Sequence, residues 1–347
     1  MATLWFFLVA FMLMMYVILD GFDLGAGIAH LYVARDDAER TMVLRSIGPV
    51  WDGNEVWLIA GGGSLFMAFP LLYASSFSGF YLPLIIVLWL LILRAISIEF
   101  RNHLDNPVWK PFWDATFAFS SLLLTLFYGA ALGNVVRGVP LDAQGYFFSP
   151  LWTTFGIGSP RTGILDWYTV IVGVTALAAL SLHGALWLRY KTPDPVAGRA
   201  TRLARWVWTP LVVLVVVLTV ITFRIQPHVP ARLNAQPLGY LFPLLAVAGL
   251  VGIRWFLARD RERDAFFSSA IFLAGMMLSV AFGLYPNVLP AINDPANSLT
   301  VYNASAPVYG LKVALAWWIP GMILASGYTV FMYRNLAGKV SAEGEGY

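Results

Sequence analysis

Nine apolar runs dominate the chain, each of roughly the 20 residues that a helix needs to cross the hydrocarbon core of a bilayer. They cover residues 4–31, 53–73, 77–99, 114–136, 164–189, 206–225, 237–258, 264–286 and 309–334. In lipid the backbone polar groups must be satisfied within the segment, so such runs span as helices. Of 347 residues, 59% are hydrophobic and 12% charged, where a soluble domain carries about 25% charged. Mean hydropathy is +0.72. The expected fold class is therefore an all-α polytopic membrane protein with nine transmembrane helices. The longer gaps, 137–163 and 287–308, are rich in Gly, Pro, Asn and Ser and read as loops.

Lys and Arg set the expected orientation. Arg35, Arg40, Arg45, Arg94, Arg101, Lys110, Arg189, Lys191, Arg199, Arg202, Arg205, Arg254, Arg259, Arg261, Arg263, Arg334 and Lys339 fall on one side. Only Arg137, Arg161, Arg224, Arg232 and Lys312 fall on the other. The positive-inside rule puts the crowded side in the cytoplasm, and hence the N-terminus outside. The first run lacks a basic leader and reads as a span rather than a cleavable signal peptide. The pattern allows two four-helix bundles plus one extra helix. Residues 1–138 hold helices 1–4, and 139–290 hold an outer loop and helices 5–8. Residues 291–347 hold an outer loop, helix 9 and a cytoplasmic tail. Trp and Tyr near the run ends read as an interfacial belt. The small net charge of +3 sits in loops, which argues against nucleic acid, and the absence of cysteine excludes thiolate metal sites and iron–sulfur clusters.

Against this background the acids are the informative residues. Asp20 and Asp23 lie in Asp20-Gly21-Phe22-Asp23-Leu24-Gly25-Ala26-Gly27, inside the first run. At 1.5 Å per residue they sit roughly 24 and 29 Å along the helix, toward the cytoplasmic end and on one face. An ionised Asp at mid-membrane costs about 2.5–3.5 kcal/mol on insertion scales, so such a group faces the protein, pairs, or is protonated. The glycines permit close helix packing or a local break. Proton relay and a structural acid held by Arg35 or a neighbour are both open. Trp51-Asp52-Gly53-Asn54-Glu55-Val56-Trp57 places Asp52 and Glu55 at the start of the second run. Asp52 reads either as a helix cap or as one member of a funnel with Asp20, Asp23 and Glu55. Arg94 and Glu99 stand at the cytoplasmic end of the third run. Arg94 is the expected counter-ion for one acid, with a lipid contact as the alternative.

The histidines are His30, His103, His183 and His228. Only His183 lies well inside a run, and no pair at matching depth supplies a haem ligand set. No metal-ligand spacing, phosphate loop or nucleophile elbow appears.

The pattern Asp20 to Gly25, followed by Pro49-Val50-Trp51-Asp52-Gly53-Asn54-Glu55-Val56-Trp57-Leu58, resembles subunit II of cytochrome bd-type quinol oxidases. So do Ser78-Gly79-Phe80-Tyr81, Arg94 to Arg101, and Tyr285-Pro286-Asn287-Val288-Leu289-Pro290. The resemblance implies a haem-bearing subunit I packed with this chain as a pseudo-symmetric heterodimer in the bacterial inner membrane. It implies haems b and d in that partner, none ligated here, and ubiquinol as substrate of the complex. It implies a cytoplasmic proton path through Asp52, with Asp20 and Asp23 matching acids of the same region. Trp51, Asn54, Trp57, Arg94 and Glu99 are the expected supporting residues around Asp52, Asp23, Asp20 and Glu55. Some members hold a structural quinone, and a small third subunit and membrane lipid are further partners it leaves open. Members often have Gln at the position of Glu55 and Asp-Tyr where Glu99-Phe100 stands. Both departures resemble the cyanide-insensitive branch. From another class, an ion-coupled secondary transporter with coupling at Asp20 and Asp23 predicts interrupted helices at matching places in two halves. A pure assembly scaffold with structural acids is the third alternative.

Overall fold

The computed structural model describes residues 1–157 and 162–340. Arg161 and residues 341–347 of the expected tail lie outside them. The chain forms α1 (Ala2–Val33), α2 (Asp37–Ile47), α3 (Trp51–Ala68), α4 (Pro70–Gly79), α5 (Tyr81–Phe100) and α6 (Trp109–Arg137). It continues with α7 (Trp167–Lys191), α8 (Val196–Ile225), α9 (His228–Ala235), α10 (Leu241–Leu257), α11 (Glu262–Leu284) and α12 (Val308–Asn335). Eight helical segments among the described residues are long and apolar enough to span, and α3 with α4 makes a further, bent candidate.

That bend corrects the expectation of one straight helix over 53–73. The two pieces meet at 118°, because Pro70 has no N–H to donate and its ring disfavours helical geometry at Phe69. Phe69 adopts φ −135°, ψ 66°. The run expected at 77–99 consequently starts at Tyr81, and its first residues belong to α4. By contrast α1 is continuous through its glycine-rich stretch.

Helix ends follow local chemistry. Asp36 caps α2 by accepting from the Glu39 N–H at 2.9 Å. Asp166 caps α7 in a reciprocal box with Thr169. The loop over 287–308 is not structureless: β1 (Asn287–Leu289) pairs antiparallel with β2 (Leu299–Thr300).

The helix at the centre is α1, which touches α3, α6, α7 and α11. Gly25 makes the closest of these approaches. A Cβ there would run into the Leu180 carbonyl and the Gly184 backbone of α7, and one at Gly184 would meet the Gly25 backbone. The glycines therefore serve packing, not a break. One apolar core surrounds Phe22, Leu182, Trp187 and Phe266, and a second surrounds Trp5, Met12, Phe69 and Leu289. Helix α12 lies on the outside, with most of its large apolar side chains exposed. It is held by Trp5 Nε1 donating to the Leu311 carbonyl at 3.0 Å and by Lys191, whose ammonium donates to the carbonyls of Leu336 and Gly338 just beyond its end.

Candidate functional site

Three helices bring charges together in the interior. From α1, Asp20 is fully buried. From α5, Arg94 is also fully buried. Its Nη1 and Nη2 donate to the two Asp20 oxygens at 2.9 and 2.6 Å, a bidentate pair. From α3, Glu55 approaches Arg94 Nη2 at 3.7 Å, with its side chain 19% exposed. Arg94 thus answers Asp20, as expected of a counter-ion, while Arg35 does not.

Asp23 takes a different partner. Asn54 Nδ2 donates to Asp23 Oδ2 at 2.8 Å, and the same amide oxygen accepts from the Tyr333 hydroxyl of α12 at 2.8 Å. Asp23 Oδ1 is buried without a partner. Tyr333 escaped the sequence reading, since it looks like one more aromatic at a run end.

The remaining expected residues fall into two groups. Trp51 and Trp57 are buried, and Trp57 packs edge-on against Phe11 at 6.2 Å. Asp52 and Glu99 are exposed. Asp52 does not cap α3: the cap position is Val50, and no side chain fills it. Asp52 occupies the first turn instead, where a carboxylate complements the helix dipole. At i, i+3 it shares a helix face with Glu55. Glu99 points away from Arg94, five residues along α5 and so on another side of it. The helix turns 100° per residue, which puts Arg101 rather than Glu99 toward the interior.

Arg101 belongs to a second charged cluster that the sequence did not disclose. Asp114 of α6 meets His30 Nε2 at 2.7 Å and accepts from Arg101 Nε at 2.6 Å and from Arg40 Nη1 at 3.1 Å. Asp37 accepts from Arg101 Nη2 at 2.7 Å and Lys110 Nζ at 3.0 Å. A cleft of about 390 Å³ opens beside these residues. Burial works against the Asp37 carboxylate, but the hydrogen bonds from Lys110 and Arg101 outweigh it and hold the group below its ordinary range. Nearby, Glu39 pairs with Arg199 at 2.6 Å and accepts from the Arg35 N–H at 2.6 Å. There too burial is outweighed, and the carboxyl is held low.

His183, the histidine deepest in a run, has no ring nitrogen free for a haem. Both ring nitrogens of His183 are engaged, Nδ1 with Ser269 Oγ at 2.6 Å and Nε2 with the Ile18 carbonyl at 2.9 Å. The ring stacks on Phe266 with centroids 4.9 Å apart. His30 is tied to Asp114, and His228 to the Tyr285 carbonyl at 3.1 Å. Among the described residues, no group of three or more His, Cys, Asp or Glu is arranged around a common metal position.

The chain is similar to known proteins over nearly its whole length. A family model described as cytochrome bd terminal oxidase subunit II matches residues 1–336. A probable cytochrome oxidase subunit 2 of Haemophilus influenzae is 30% identical over 98% of this chain and 95% of its own length. Cytochrome bd ubiquinol oxidase subunit 2 of Bacillus subtilis is 30% identical over 96% of this chain and 95% of its own. Cytochrome bd-I ubiquinol oxidase subunit 2 of Escherichia coli K12 is 29% identical over 98% and 95%. A chain in the structure of bd oxidase from Geobacillus thermodenitrificans superposes with a TM-score of 0.73 at 19% identity, covering 97% of this chain and 98% of that one.

Proposed function

The chain belongs to the cytochrome bd terminal oxidase subunit II family, and on that premise we propose that it serves as the haem-free subunit of a respiratory ubiquinol:oxygen oxidoreductase. Its place is the bacterial cytoplasmic membrane, with nine crossings if α3 and α4 count as one, and with the N-terminus outside. Its partner is the haem-bearing subunit I, whose assembly it supports. The divisions 1–138, 139–290 and 291–347 remain the working units of that arrangement. The partner's haems supply the electron transfer and the oxygen reduction; this chain's residues handle protons.

The observation that carries the reading is a gradient of burial among the acids. Asp52 is exposed in the first turn of α3, Glu55 one turn further is partly buried, and Asp20 behind it is fully buried against Arg94. Asp52 collects protons from the cytoplasm at the exposed start of α3. Glu55 receives the proton on its own helix face, and the α1 acids Asp20 and Asp23 take it inward. Arg94 holds the interior charge fixed, so that Asp20 neutralises it without leaving an unpaired ion in a low-dielectric setting. Protons consumed on one side and quinol protons released on the other build a membrane potential without a pump.

The test is Asp52→Asn in the complex assembled with its partner. Turnover falls by about tenfold, ~1.4 kcal/mol on the barrier, with haem absorption unchanged. Near-normal turnover with intact haem would remove Asp52 from the path and favour the scaffold reading. A transporter would require matched helix interruptions in two halves. Helix α1 is continuous, and α3–α4 is the one bent pair of spanning character among the described residues.

A further inference from the structure

We infer that Tyr333 is a positioning residue for Asp23: acting through Asn54, it assigns Asp23 Oδ1 as the oxygen that carries the proton. The inference rests on the proton-handling role proposed above. It starts from three hydrogen bonds around one amide. Asn54 is 2% exposed. Its Nδ2 faces Asp23 Oδ2 at 2.8 Å and the Leu19 carbonyl at 3.4 Å. A backbone carbonyl only accepts, so that side of the amide must be the NH2 group. The opposite side is then the carbonyl oxygen, and it accepts from the Tyr333 hydroxyl at 2.8 Å. The amide has no freedom to turn over while Tyr333 donates to it.

The consequence falls on Asp23, itself 1% exposed. Its Oδ2 accepts from an N–H donor, and a proton placed there would weaken it as the acceptor of that bond. Its Oδ1 is buried and has no partner. A proton arriving at Asp23 therefore binds Oδ1 and leaves from Oδ1, and the Oδ2 hydrogen bond persists through both states. The charged or titratable groups facing Asp23 are Asp20 on its own helix, Glu55 on α3, Arg94 on α5 and Tyr333 on α12. From α6, Tyr128 bonds to Tyr16 at 3.1 Å, while His183 of α7 is occupied with Ser269 of α11. None of these donates to Oδ1.

The position of Tyr333 is itself fixed. Its ring sits edge-on to Phe22 and Trp187, with centroids 6.4 and 6.3 Å apart. Lys191 holds the chain just beyond it. A helix that otherwise lies on the outside of the molecule thus reaches one hydroxyl into the interior.

The experiment uses the complex with its partner subunit and compares Tyr333→Phe, Asp23→Asn and the double variant. Phenylalanine keeps the ring contacts and removes only the hydroxyl. The expected result is intact haem absorption and quinol oxidase turnover lowered about tenfold in each single variant, ~1.4 kcal/mol on the barrier. The double variant is no slower than Asp23→Asn alone, the non-additivity of residues that act through one another. Infrared difference spectra of the native complex on reduction show a carboxyl C=O band that is absent in Asp23→Asn and displaced in Tyr333→Phe. Full turnover and an unmoved band in Tyr333→Phe, with Asp23→Asn slow, would overturn this inference alone. Effects that multiply in the double variant would overturn it as well. Full turnover in Asp23→Asn would overturn the role of Asp23 in proton handling and this inference with it. If Tyr333→Phe does not assemble, Asn54→Ala breaks the same link from the other side and is read against the same outcomes.

Discussion

Arg94 grips both oxygens of Asp20, at 2.9 and 2.6 Å, with neither side chain exposed to solvent. The pair joins α1 to α5 in a protein whose surface is largely apolar. Two compensated charges cost little beyond their shared desolvation. One alone is a different matter, because a buried ion without its partner keeps the whole penalty. The relation between the two residues therefore governs assembly as well as charge placement.

The first prediction follows from that asymmetry. Arg94→Gln and Asp20→Asn each destabilise the chain by about 3–5 kcal/mol, the cost of orphaning one member of a buried pair. The double substitution to apolar residues of similar size, Arg94→Met with Asp20→Leu, loses less than either single change. Thermal unfolding of the complex in detergent measures the stability, and haem absorption reports turnover-competent assembly separately. A loss in the double variant equal to the sum of the two single losses would show that the pair is not an energetic unit.

A second prediction concerns the contact of α1 with α7. Gly25 and Gly184 are packed so that a Cβ on either would press into backbone atoms of the other helix. Backbone cannot give way as a flexible side chain does, so Gly25→Ala overpacks the interface and costs about 1–3 kcal/mol. Gly53, where an added Cβ meets nothing within 4 Å, is the control. Gly53→Ala in the first turn of α3 leaves the melting temperature unchanged or slightly raised. The readout is the thermal midpoint of each variant, and parity between the two would refute the steric account.

These residues also show what a sequence yields and what it withholds. Hydropathy made most of the spanning helices legible, because lipid forces the length and the composition together. The close pairing of Arg94 with an acid was legible too, since a cation near a run end has few partners to choose from. Asp52 was misjudged as a cap candidate because α3 begins at Trp51, two residues earlier than a cap at Asp52 requires, leaving Val50 at the cap position. The break at Phe69–Pro70 hid inside the single apolar run read over 53–73. Asp114, His30 and Arg101 went unseen for a different reason. Their meeting depends on how α1, α5 and α6 rotate against one another, and no spacing along one helix records that.

A third prediction is pH-dependent and lies outside the spanning helices. Glu39 of α2 is held below its ordinary value of 4.5; burial pushes the other way, but Arg199 and the Arg35 N–H prevail. A carboxyl with a depressed folded-state value binds protons more readily when unfolded. Its contribution is present above the unfolded value and is lost as pH falls through the folded one. The melting temperature of the complex therefore drops on acidification below about 4.5, and Glu39→Gln flattens that part of the profile. The flattening should appear with no change near neutral pH other than a uniformly lower midpoint. A variant whose acid limb is as steep as the native one would assign the acid sensitivity to another group.

The last prediction tests what the buried histidine does. The Ile18 carbonyl can only accept, so Nε2 of His183 carries a hydrogen and donates to it at 2.9 Å. In the neutral ring Nδ1 is then an acceptor 2.6 Å from the Ser269 hydroxyl, whose one proton it shares with the Phe266 carbonyl, also at 2.6 Å. Each nitrogen is used in a bond linking α7 to α1 or to α11. His183→Leu breaks both bonds in a fully buried place and leaves the Ser269 hydroxyl without that acceptor. The loss is about 1–3 kcal/mol, the penalty for orphaning a buried polar group. Because neither nitrogen is free to ligate iron, haem absorption per assembled complex stays at the native value. A variant with a missing or shifted haem band at native stability would reverse this assignment and make His183 a ligand. A variant of reduced stability with an unaltered spectrum establishes it as the tie between three helices.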